Sequence, residues 1–152
     1  MIGREPKLDN DLFYVCSLIE YVGRTTKNRR GDVVSALGKD VLARYLALAD
    51  VYHCEPIEYT ATDLIEKYSI VEGDFDNTSG GVSAPTVFDI AKVYKRLIVS
   101  VAERSGIVPI EALYDVYTSW ISDKISDYSC SMFYESPEYL YLSYVEGEPL
   151  RD

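Results

Sequence analysis

His53 is the only histidine in this chain of 152 residues, and Cys54 follows it directly. An imidazole and a thiol can act as base and nucleophile when a fold aligns them. Cys16 and Cys130 could in principle join them around a zinc ion. Zinc sites usually draw ligands in close pairs such as Cys-x-x-Cys, and the chain has no such pair. Cys16 also falls on an apolar helical stripe, where a free cysteine packs as a small hydrophobe. Asp74, Asp76 and Thr78 follow the opening of a calcium loop. Ser79 stands where that loop needs glycine, and Pro85 where it needs a bidentate glutamate. Asp74-Phe75-Asp76 also matches a DxD triplet, without the α/β pattern that would give it meaning. The sequence therefore assigns no catalytic residue, metal ligand or cofactor. A small enzyme using His53 and Cys54, or the Asp74/Asp76 loop, stays as an alternative.

A second stretch, GRTTKNRRGD, places Arg24, Lys27, Arg29 and Arg30 close together in a chain with 15 basic and 25 acidic residues. Cations at the end of a helix offset the negative end of its dipole. That accounts for Arg24 and Lys27. Arg29 and Arg30 lie beyond the helix, and on an exposed loop they would grip a phosphate or a carboxylate. They are expected to contact a partner.

The C-terminal segment YSCSMFYESPEYLYLSYVEGEP interleaves aromatics with acids. Its apolar positions occupy more than one helical stripe, so they cannot all enter one small core. Tyrosine and phenylalanine among carboxylates suit docking of a basic, partly apolar protein. Tyr134, Glu135, Glu138, Tyr139, Tyr141 and Tyr144 are the expected partner-binding residues, with Arg29 and Arg30 as a second contact. An alternative is an inhibitor of a nucleic-acid enzyme whose carboxylates stand in for phosphates.

Helical spacing recurs along the chain. Leu12, Val15, Cys16, Ile19 and Val22 form one stripe of a helix from about Asp9 to Thr25. A short helix over 32–37 stops at Gly38, and another spans about 40–53. Thr60 and Asp63 resemble a capping box for a helix ending near Tyr68. Residues 71–85 break the pattern with Gly73, Gly80, Gly81 and Pro85. Thr86 and Asp89 then cap a strong helix that ends before Gly106. Pro109 opens one running to Ile125, and Ser136-Pro137-Glu138 opens the last, to about Glu146. No segment alternates like a strand. The expected fold is all-α, with about seven helices in two small halves, 1–70 and 86–152, joined by the polar Gly-rich loop 71–85.

Composition narrows the function. The net charge is −10, and residues 71–152 carry 6 basic against 14 acidic side chains. Such a surface repels nucleic-acid phosphates and attracts basic proteins. The segments 32–37 and 40–53 have helix-turn-helix lengths, but the second lacks the Arg, Lys, Asn and Gln that read base edges. Direct DNA binding is not expected. No apolar run approaches the roughly 20 residues of a membrane span. Three scattered cysteines argue against a disulfide framework. Cytoplasmic residence is expected.

Phe13, Cys16 and Glu20, with the Asp50–His53 turn, carry a loose resemblance. The segment 13–68 resembles a family of small uncharacterised helical proteins of Firmicutes. The resemblance implies an antitoxin-like partner of an ADP-ribosyltransferase-type toxin, with no catalytic residues. Together with the composition, it makes the expected protein a non-enzymatic, acidic interaction module that binds and occludes a partner with a basic surface.

Overall fold

The apolar run Phe13–Ile19 is too continuous for a helix with one wet side, and the fold gives it none. A computed structural model describes residues 6–78, 84–128 and 131–150, and every regular element in them is helical. Helix α1 (Pro6–Thr26) is the central element, with residues 14 to 20 all buried. It packs against α2 (Arg30–Ala47), α4 (Ile57–Lys67) and α5 (Val87–Ser105). The four-residue α3 (Ala49–Tyr52) links α2 towards α4. Helix α6 (Pro109–Tyr117) lies on α2 and α5, followed by α7 (Trp120–Ser126). After a short 3-10 turn, Met132–Tyr134, helix α8 (Pro137–Glu146) packs on α5. No helix among the described residues is long and apolar enough to cross a membrane.

The two best sequence signals hold. Thr86 accepts from the Asp89 amide while the Asp89 side chain accepts from the Thr86 amide, a complete capping box. Ser136 caps α8 ahead of Pro137. Gly38, at φ 83° and ψ 165°, leaves the helical conformation and separates the two runs of α2, as expected. Two boundaries differ. Pro56 precedes the first turn of α4, so Thr60 lies inside that helix instead of capping it. The expected helix 109–125 breaks at Thr118 and Ser119, where the Ser119 hydroxyl accepts from the Ile121 amide and starts α7.

Residues from both expected halves meet in one core: Leu12 to Leu64 and Ile90 to Tyr141 contribute to one hydrophobic cluster, dominated by contact between α1 and α5. Residues 71–78 are held against the end of α1. Gly73 and Phe75 donate their amides to the carbonyls of Thr26 (2.8 Å) and Lys27 (2.9 Å). A side chain at Gly73 would stand 2.6 Å from the Lys27 carbonyl oxygen, so this approach requires glycine.

Three groups at the centre of the core are acids held neutral. Burial pushes the Cys16 thiol from 9.0 to about 12 and the Tyr94 phenol from 10.0 to about 12. It holds Tyr117 well above 10.0. In the unfolded chain these groups ionise first, so the unfolded state binds fewer protons at alkaline pH. Their contribution is complete below the ordinary thiol value of 9.0 and is lost as pH rises from there towards the folded values near 12. Urea midpoints are therefore expected to fall steadily above pH 9.0. A midpoint constant across that range would contradict these assignments.

Candidate functional site

Each cation of the GRTTKNRRGD stretch finds an internal partner. Arg30 is 1% exposed, and its guanidinium forks onto the Glu20 carboxylate. It also donates to the Ser126 hydroxyl (2.5 Å) and the Tyr128 hydroxyl (2.8 Å). Arg24 donates to the same Glu20 (2.7 Å) and to the Pro85 carbonyl (2.6 Å). The Tyr128 hydroxyl then donates to the Asn77 carbonyl (3.0 Å). One buried carboxylate thus joins α1, the start of α2, the end of α7 and both sides of the 71–85 connection. Arg29 is exposed and lies over the Phe75 ring at 4.4 Å, with Asp123 3.3 Å away. Lys27 faces Glu72 at 3.9 Å.

The expected partner contact at Arg30 is therefore corrected. A charged side chain with no water around it must be paired, and Arg30 spends its donors inside the fold. Arg29 remains at the surface, with part of its charge already matched. Nothing in the local sequence distinguishes the two arginines. The available signal was Glu20, ten residues earlier on the buried face of α1.

The C-terminal residues separate into two groups. Tyr134 is 65% exposed, and Glu138 is exposed beside Arg104 at 2.7 Å. Glu135, Tyr139 and Tyr144 are half-buried. The Tyr139 hydroxyl donates to the Leu150 carbonyl, and burial raises the Tyr144 phenol. Tyr141 is buried, its ring under the Arg104 guanidinium at 4.0 Å. It supports α8 from beneath and does not present a docking surface, which corrects that assignment. Sequence reasoning missed Leu142 and Val145. Both are exposed on α8, Val145 at 59%. With Glu138 and Glu146 they follow helical spacing along one outward stripe, which the tyrosines masked by drawing attention first.

His53 and Cys54 are exposed and do not form a pair. The Cys54 thiol leans on the Asp50 carbonyl at 3.5 Å, and the His53 ring meets the Tyr14 ring edge-on at 6.4 Å. Cys16 is fully buried, as its stripe implied, and Cys130 lies outside the described residues. Among the described residues no group of three His, Cys, Asp or Glu side chains could hold a metal ion. The Asp76 carboxylate accepts from the amide and hydroxyl of Thr78, at 2.8 and 2.7 Å. The hydroxyl bond and then the amide bond lower its pKa. These contacts make a local turn, the structural account of the Asp74–Thr78 motif.

His53 does border a cleft of ≈ 850 Å³ between α1, the α3–α4 turn and the start of α5. A second hollow of ≈ 450 Å³ lies over Gly73–Thr78 beside Arg24 and Lys27. Compared with protein-family models, curated proteins and solved structures, the chain has no match.

Proposed function

We propose that this protein is a non-enzymatic, acidic interaction module that binds and occludes a partner protein with a basic surface. The docking face is the outer side of α8 with the preceding 3-10 turn. One observation carries this reading. Helix α8 is apolar on more than one side, and α5 covers only one of them. Leu142 and Val145 are left exposed, as is Tyr134 in the preceding 3-10 turn. A surface helix normally turns polar residues outward. Carboxylates at Glu138, Glu146 and Glu148 lie along the same segment, so the face offers apolar contact within a negative field. An antitoxin-like or regulatory role fits such a face, because covering a basic cleft excludes that cleft's own substrate.

Phosphate mimicry has less support. Glu138 is already paired with Arg104, and Glu135 is half-buried, so the acids do not form a free row.

The test is affinity capture from nuclease-treated lysate of the source cells, using the native chain and a Leu142→Ser/Val145→Ser variant. Both positions are exposed, so the variant should fold normally. The native chain is expected to retain a stoichiometric basic protein that the variant loses. Equal recovery by both would remove α8 from the interface.

A further inference from the structure

The cleft beside His53 is built from elements that take no part in the α8 face. Its volume of ≈ 850 Å³ matches the size of small-molecule sites. Phe13 and Tyr14 from α1, Ile57 from α4 and Phe88 from α5 make an apolar wall. The rings of Phe13 and Phe88 lie 6.0 Å apart and tilted by 30°, forming a shelf across two helices. Phe88 stays 51% exposed there, a large apolar area left in water.

The polar rim is unbalanced. Lys7, Asp11, Asp50 and Glu55 line it. Lys7 pairs with Asp11 at 2.6 Å. Neither the Asp50 nor the Glu55 carboxylate has an ion-pair partner among the described residues. Tyr14 is 8% exposed, and its hydroxyl is buried beside the Thr60 hydroxyl.

We propose that this cleft binds a small organic cation, an ammonium or guanidinium group carried on an aromatic or aliphatic body. The cation faces Asp50 and Glu55, and the body lies on the shelf of Phe13 and Phe88. Carboxylates attract the charge, and aromatic faces tolerate it as well as the apolar body. An anion of the same shape would meet the Asp50 and Glu55 carboxylates and be repelled. This inference does not depend on the α8 face.

The experiment titrates isotope-labelled full-length protein with phenethylammonium, and with hydrocinnamate as the anion of similar shape. Saturable amide shifts at Asp50, His53, Glu55 and Phe88 with the amine alone are expected. An Asp50→Asn/Glu55→Gln variant should bind the amine about tenfold more weakly, roughly 1.4 kcal/mol. Both residues are exposed, so the variant should fold, and an unchanged spectrum outside the cleft verifies that. Absence of saturable shifts, equal shifts with hydrocinnamate, or unaltered binding by the variant would each overturn the proposal. Saturation by a capped Arg-Phe dipeptide without saturation by the amine would overturn it in favour of a peptide ligand.

Discussion

Replacing Arg30 with alanine is expected to destabilise the protein by about 3–5 kcal/mol, enough to unfold most small domains. The cause is what remains behind. Glu20 is 1% exposed and would be left with Arg24 as its remaining ion-pair partner among the described residues. The Ser126 and Tyr128 hydroxyls would lose the guanidinium that ties them to α1. Glu20→Ala is expected to cost a similar amount, because it strands a buried guanidinium. Replacing both residues with methionine should recover part of the loss, since well-packed apolar side chains often match a buried ion pair. Full recovery is not expected, because Arg24, Ser126 and Tyr128 each still lose one of their hydrogen bonds. Urea unfolding of the three variants measures this directly. An Arg30→Ala protein within about 1 kcal/mol of native would contradict the buried network as described.

The second large effect is expected at Tyr94. Its ring stacks on Tyr117 at 4.2 Å and 4° from parallel, with both rings in the core. Tyr94→Ala removes that ring and opens a cavity between α5 and α6, at a cost of about 3–5 kcal/mol. Tyr94→Phe keeps the stack and loses the hydroxyl's contacts, 2.9 Å to the Ser122 hydroxyl and 3.4 Å to its carbonyl. It should cost about 1 kcal/mol, the usual net value of a hydrogen bond whose partner is left buried. Thermal or urea unfolding separates the two. Equal losses would mean that the hydroxyl, and not the ring, is the important part.

Both residues show where the sequence was legible and where it was not. Tyr94 lay on the clearest stripe in the chain, Ile90, Ala91, Tyr94 and Ile98, and is buried as the spacing required. Periodicity and capping also located α1, α5 and α8 to within a few residues, because those signals act within one or two turns. Arg30 was misplaced because its partner comes from another helix. Pairing across the fold has no local signature, and a buried arginine reads like an exposed one until its carboxylate is found. The break between α6 and α7 was missed for a related reason. Ile121 and Ile125 continue the apolar spacing of α6 through Thr118 and Ser119, and only the Ser119 cap reveals the new start. In the C-terminal segment, composition could not assign faces. Helix α8 has apolar residues on several sides, so packing on α5 decided that Tyr141 goes in and Leu142 stays out. The cleft residues Phe13, Tyr14, Asp50, Glu55 and Phe88 come from elements far apart in sequence, and only the fold brings them together.

The central claim is that a partner docks on the outer face of α8. Its most direct test is the affinity of the captured partner for the native chain and for single-site variants. Leu142→Asp is expected to weaken binding at least tenfold, roughly 1.4 kcal/mol, by placing a charge in the apolar stripe. His53→Ala and Asp74→Ala are expected to leave it unchanged. The opposite pattern, with affinity lost at His53 or Asp74 and kept at Leu142, would contradict the account.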